Sequence, residues 1–145
     1  MLTRDEIYAK VSCVLVEALN CDEEDIKPTS TLMADLGAES IDFLDIVFRL
    51  QREFRMQIRR GELFPESIFQ GDPEFLQGDL VTSKGLAELK YRMPFADLSQ
   101  FAKDPSVYKI SDFFTVDFIC RFIENKLLAK EVQPTVVIHS LKKKE

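Results

Sequence analysis

Asp35-Leu36-Gly37-Ala38-Glu39-Ser40-Ile41-Asp42, followed by the apolar-rich run from Phe43 to Phe54, is the stretch that decides how the rest of the chain folds. It reads as a tight loop that delivers a serine to the first turn of a helix. Gly37 lets the backbone turn where a Cβ would obstruct it. Ser40 then stands where the unpaired N–H groups of a helix start point outward and the helix dipole favours negative charge. Such a position suits a phosphodiester.

The helix after Ser40 carries two apolar stripes. At about 100° per residue, Phe43, Ile46, Val47, Leu50 and Phe54 fall on one side, and Ile41, Leu44 and Phe48 on nearly the opposite side. A helix lying on one core needs only the first stripe. The second is either buried beneath the segment that follows or left exposed as a docking ridge beside the serine. Phe43 and Val47 face inward near the site, as core packing or as the lining of a cavity.

Upstream, Thr3 and Glu6 have capping-box spacing, and Ile7, Val11, Val14, Leu15 and Ala18 follow at helical spacing. The pattern predicts a first helix of about four turns. Asn20 to Asp25 closes it with an acidic turn. A loop containing Pro28, which forbids continuous helix, then carries Ile26 and Leu32 as isolated apolar anchors. Downstream, Thr115-Val116-Asp117 begins a last long helix with Val116, Ile119, Ile123 and Leu127 inward and Phe118 and Phe122 extending that face. It ends before Pro134, followed by the β-prone run Thr135 to Ile138.

The octet resembles the prosthetic-group attachment site of the acyl carrier protein family, whose usual centre is Asp-Ser-Leu where this chain has Glu39-Ser40-Ile41. The two-stripe helix, the capped helix upstream and the helix opened by Thr115 resemble the family as well. So does a short third helix opened by Asp104-Pro105 and running through Val107 and Ile110. The resemblance covers about residues 3–58 and 105–128. It implies an all-α fold, an acyl-carrier-like four-helix bundle, and a carrier rather than an enzyme, with no catalytic residues. Covalent 4′-phosphopantetheine would hang on Ser40, flanked by Asp35, Gly37 and Asp42, and hold an acyl or aminoacyl group as a thioester. A phosphopantetheinyl transferase would attach the arm, and acyl-loading and acyl-processing enzymes would dock on Glu39, Ile41, Leu44, Asp45, Phe48 and Arg52. For Asp35 and Asp42 the resemblance implies contact with the transferase, and the competing reading is loop capping and helix-dipole complementarity.

Two features depart from the family. The charges beside the ridge begin acidic (Glu39, Asp42, Asp45) and turn basic at Arg49, Arg52 and Arg55, then Arg59-Arg60, whereas family members commonly keep this helix acidic. Reversed charge at a rim mainly changes partner choice, which favours a specialised lipid or secondary-metabolite pathway. The second is a stretch of roughly fifty residues, from Gly61 to Lys109, where the family needs only a short loop and the third helix. Its aromatics, among them Phe64, Phe69, Phe75, Tyr91, Phe95 and Phe101, are too many for disorder. Gly71-Asp72-Pro73 and Gly78-Asp79 signal turns, and Ser83 is the expected cap of a helix stopped by Pro94. A further helical turn fits between Phe95 and Phe101. The expected organisation is a single carrier domain over 1–145, with 61–104 as a folded, partly helical insertion and 131–145 as a solvated tail.

Composition narrows the alternatives. The chain has 145 residues, net charge −6 and pI about 4.9, which disfavours a nucleic-acid partner. The acidity belongs to residues 1–58, which carry six Lys/Arg against twelve Asp/Glu, net −6. Cys13, Cys21 and Cys120 have no Cys-x-x-Cys spacing and His139 is the lone histidine, so neither a metal site nor a Cys/His pair is expected. Met1 to Glu6 is no signal peptide and no apolar run approaches membrane-spanning length; the expectation is a cytoplasmic monomer. Two other functions compete: a carrier-like interaction module that is not modified, and a hydrolase using Ser40. The second lacks a credible base and the Gly-x-Ser-x-Gly elbow.

Overall fold

Helix formation starts where Thr3 can cap it. In the computed structural model, which describes residues 2–59, 61–64, 72–94 and 96–129, α1 runs Arg4–Leu19. The Thr3 hydroxyl accepts from the Glu6 N–H at 3.1 Å, and the Glu6 carboxylate accepts from the Thr3 N–H at 2.8 Å. Asn20 ends the helix in the left-handed conformation, φ 55°, its N–H donating to the Val16 carbonyl. Ile7, Val11, Val14 and Leu15 are buried, as their spacing requires.

The second helix, α2, runs Ser40–Phe54 and buries Ile46, Leu50 and Phe54. It lies antiparallel to α1, since Lys10 pairs with Glu53 at 3.0 Å and Glu17, further along α1, pairs with the earlier Arg49 at 3.3 Å. Exposed pairs of this kind contribute little to stability; the buried apolar faces hold the two helices together. Between them stand a short 3₁₀ turn, Glu23–Asp25, and the loop anchored by buried Ile26, Leu32 and Leu36.

That loop also serves the other end of the chain. The last helix spans 116–129, and its first N–H groups need partners from outside the helix. Val116 and Asp117 donate to the Ser30 and Pro28 carbonyls at 3.0 and 2.9 Å, and the Thr115 hydroxyl accepts from the Phe118 N–H at 3.1 Å. Leu32 N–H donates to the Phe114 carbonyl at 2.9 Å. The same segment that leads into the Ser40 loop therefore caps the closing helix. Val116, Phe118, Ile119, Phe122 and Ile123 are buried and Leu127 is half-buried, as the spacing predicts.

Within residues 61–104, β1 (Leu76–Gln77) and β2 (Leu80–Val81) pair antiparallel across a two-residue turn in which Gly78 takes φ 63°. This ribbon was not expected; only its turn signal was legible. It is anchored to the entry of the third helical segment, with Val81 N–H donating to the Pro105 carbonyl and Val107 N–H to that of Asp79, both at 2.8 Å. Then follow α3 (Ser83–Arg92) and α4 (Ser99–Lys103). Thr82, not Ser83, caps α3: its hydroxyl accepts from the Gly85 N–H at 3.1 Å, and Ser83 is the first helical residue. Leu89, Met93, Leu98 and Phe101 are buried in the same apolar cluster as α1 and α2.

The expected third helix is a 3₁₀ segment, Val107–Phe113, capped by Ser106 rather than opened by Asp104-Pro105. Asp104 instead accepts from Lys109 Nζ at 2.7 Å. The 3₁₀ segment joins α1, α2 and the last helix in an all-α bundle, beside which residues 61–104 place α3, α4 and the small ribbon. The tail 131–145, the helix end before Pro134 and the run 135–138 lie outside the described residues, as do Phe69, Gly71, Phe95 and Arg60.

Candidate functional site

The loop that presents Ser40 is held by Asp35. Its carboxylate accepts from the Thr31 N–H at 2.8 Å and the Thr31 hydroxyl at 3.2 Å, while the Asp35 N–H donates back to the Thr31 hydroxyl at 3.1 Å. Thr31 is itself bridged to Thr115, so the loop is tied to the start of the last helix. Gly37 adopts φ 77°, a left-handed conformation that L side chains rarely take. Nothing lies within 4 Å of where its Cβ would be. The need for glycine there is conformational, and no neighbouring atom would obstruct a side chain. Ala38 N–H then donates to the Leu32 carbonyl at 2.8 Å and Leu36 and Ala38 bury their side chains, which fixes the exit direction.

Glu39 is the N-cap residue of α2 and Ser40 its first residue. Asp42 turns back to accept from the Glu39 N–H at 2.8 Å, a first-turn carboxylate favoured by the helix dipole. Both flanking acids thus have structural work, Asp35 in the loop and Asp42 at the helix start. Ser40 is exposed, and its hydroxyl makes no hydrogen bond to any described residue. The hydroxyl is available to a reagent brought from outside.

Beside it the second stripe is open to solvent. Ile41, Leu44 and Phe48 are 78%, 67% and 56% exposed, spaced along one face of α2. Isolated exposed apolar residues are ordinary, but three large ones in a row beside an available hydroxyl are not. Asp45 is partly occupied by Arg49, whose Nε stands 2.9 Å from its carboxylate. The Arg52 guanidinium lies over the Phe48 ring at 6.0 Å, so the ridge ends at a cation.

Behind the ridge the helix is backed by aromatics. Phe43 stacks on Phe64 at 4.5 Å, and Phe114 meets both edge-on at 5.9 and 5.1 Å. Val47 packs half-buried on the core. Plain packing accounts for both inward residues, and the rings of Phe64 and Phe114 fill the space beside Phe43. Sequence reasoning missed these two as supports of the site. The only available signal was the apolar pair Leu63-Phe64 soon after the helix, which names no partner. It also missed that Arg52 and Arg55 share a groove with Lys126.

A family model described as the phosphopantetheine attachment site matches residues 9–66, which take in most of α1, the Ser40 loop, α2 and Phe64. An acyl carrier protein of Thermotoga maritima is 35% identical over 63 residues, covering 43% of this chain and 78% of that protein. The chain belongs to the acyl carrier protein family. The acyl carrier protein AcpXL of Rhizobium meliloti is 45% identical over 51 residues, 35% of this chain and 54% of its own length. Acyl carrier proteins are carriers and not catalysts, and the group they bear covalently is 4′-phosphopantetheine. No helix among the described residues is long and apolar enough to cross a membrane, and none of their His, Cys, Asp and Glu side chains cluster to hold a metal ion.

Proposed function

We propose that the Ser40 oxygen is the attachment point of 4′-phosphopantetheine and that the chain ferries an acyl or aminoacyl group between enzymes. The observation that carries this is the exposed Ser40 hydroxyl in the first turn of α2, without a hydrogen bond to any described residue and beside an exposed apolar ridge. When attached, the arm supplies a terminal thiol on which cargo rides as a thioester. The chain's own residues do the rest. Asp35 and Gly37 hold the loop in the conformation that presents the serine, and Asp42 braces the helix start against Glu39. Unpaired first-turn N–H groups and the helix dipole favour the negative phosphodiester.

The partners in this reading are a phosphopantetheinyl transferase and acyl-loading and acyl-processing enzymes, which meet Glu39, Ile41, Leu44, Asp45, Phe48 and Arg52. The whole chain acts as one cytoplasmic, monomeric carrier domain, with 61–104 as a folded insertion. That insertion and the arginines beyond Phe48 favour a specialised lipid or secondary-metabolite pathway over general fatty-acid synthesis. Co-expression with a phosphopantetheinyl transferase active on a standard carrier tests the attachment. Intact mass should rise by one phosphopantetheinyl group in the parent and not in Ser40→Ala. A parent mass that stays unmodified would sink the proposal.

A further inference from the structure

The end of α2 remote from Ser40 borders an open groove of about 710 Å³ in which Arg52, Arg55, Arg59 and Lys126 stand with one carboxylate, Glu62. Among the described side chains that line it four are cations and one is an anion, on a chain whose net charge is −6. Glu62 is committed to Lys126, with 2.7 Å between Nζ and the carboxylate oxygen. Nearby Glu53 is engaged by Lys10 on α1. Arg52 and Arg59 supply positive charge that those two pairs do not use. Met56 supplies an apolar patch in the wall they line.

The groove is continuous with the ridge. Arg52 belongs to both, lining the groove while its guanidinium lies over the exposed ring of Phe48. Along α2, Ser40 and Arg52 are twelve residues apart, about 18 Å at 1.5 Å per residue. One helix face thus presents in sequence an acidic start with the serine, an apolar ridge, and a basic groove.

We infer that the groove is the second half of the enzyme-docking surface and receives an acidic segment of the partner protein. This rests on the carrier reading of Ser40. A partner seated on the ridge would place carboxylates opposite Arg52 and Arg59, the first of them about 18 Å along the helix from Ser40. Guanidinium groups suit that role because they pair with carboxylates bidentately and are weakly hydrated. An acidic segment is repelled by the Glu39–Asp42–Asp45 end, so the charge layout fixes which way round the partner sits. Enzymes built to meet an all-acidic docking helix are correspondingly disfavoured. Continuity with the ridge, an open shape and an apolar wall favour a protein segment over a small anion. The acidic surroundings oppose an anionic membrane.

The test is a ¹⁵N NMR titration of the full chain after transferase treatment, its state at Ser40 read by intact mass. Three probes are compared: a short helical peptide with leucines and with glutamates at i and i+4, inorganic pyrophosphate, and phosphatidylglycerol vesicles. The peptide should move the amides of Phe48, Arg52 and Arg59 and leave those of α3 in place. Its affinity should fall by about an order of magnitude in R52E/R59E, and again on raising salt from about 0.05 to about 0.5 M. The R52E/R59E spectrum itself reports whether that variant is folded, and R52K/R59K, which keeps the charge, should retain most of the binding. No response to the peptide, or a stronger response to pyrophosphate or vesicles at the same groove, would overturn the proposal. The mass separates the two claims: a modified Ser40 with no peptide binding removes this inference alone, and an unmodified Ser40 removes the carrier reading.

Discussion

Phe43 on the site helix and Phe64 beyond its end stack face to face, with ring centroids 4.5 Å apart and planes 17° from parallel. Phe43 is only three residues past Ser40, so the ring beneath the first turn of α2 is backed by a residue from the start of the insertion. Phe114, fully buried just before the last helix, closes the cluster edge-on. The loop, the site helix, the insertion and the closing helix therefore meet at one aromatic contact. Offset and edge-on ring pairs add to what burial alone contributes.

Truncating Phe64 should be costly. Phe64→Ala removes a buried ring that touches two others and leaves a cavity, a change worth about 3 kcal/mol. At this chain length that corresponds to a melting temperature lower by roughly 10 °C. Differential scanning calorimetry would check it, and a loss below about 2 °C would mean the site helix does not depend on this ring.

Gly85 tests the packing of the insertion. It is buried in the first turn of α3, and a Cβ there would lie 2.5 Å from the Phe75 carbonyl oxygen and 2.5 Å from Val81 Cγ1. The oxygen belongs to the backbone and cannot rotate away. Gly85→Ala should therefore destabilise by about 2 kcal/mol, although alanine is the better helix former by about 1 kcal/mol. An unchanged or raised melting temperature would show that α3 and the ribbon are not in this contact.

The pair of Glu62 and Lys126 should give stability an acid limb. Burial pushes the Glu62 carboxyl up, but the bond from Lys126 and the one from the Arg59 N–H outweigh it and hold the group below its ordinary 4.5. A carboxylate depressed in the folded state stabilises above its unfolded value, and that contribution is lost as pH falls through the folded value. Glu62→Gln should lose about 0.5 kcal/mol at neutral pH, given the partial exposure of the pair. Chemical denaturation curves for parent and variant should converge as pH falls below about 4. A gap that persists in acid would assign the effect to packing.

The three thiols should react in a fixed order. Cys13 is exposed, Cys21 is half-buried with its thiol pushed up by burial, and Cys120 is buried with its thiol pushed up to about 12. The thiolate is the reactive form. Iodoacetamide at about pH 8 should label Cys13 first, Cys21 slowly and Cys120 only in denaturant. Peptide mass spectrometry reads the order, and early labelling of Cys120 would contradict its burial.

Much of this was legible in residues 1–58 because the signals there are local. Thr3 and Glu6 spell a capping box, and α1 and α2 bury the residues that a 3.6-residue period selects. The exposure of Ile41, Leu44 and Phe48 was one of two options the sequence left open. The choice depended on whether other parts of the chain cover them, and among the described residues none does. The boundary between Thr82 and Ser83 was misplaced because both are hydroxyl residues that cap helices, and serine is the more favoured of the two. Only the direction of the Gly85 N–H separates them.

By itself, then, the sequence determined the class of helix, the position of Ser40 in its first turn, and the family to which that octet belongs. Periodicity, capping and turn chemistry act over a few residues and can be read without coordinates. Tertiary structure alone decided that Pro28 and Ser30 cap the last helix and that Phe64 backs Phe43. It also brought Lys126 to the groove of Arg52, Arg55 and Arg59. Each of these joins residues distant in the chain, and such pairings follow from how apolar faces close around one core, which no local pattern encodes.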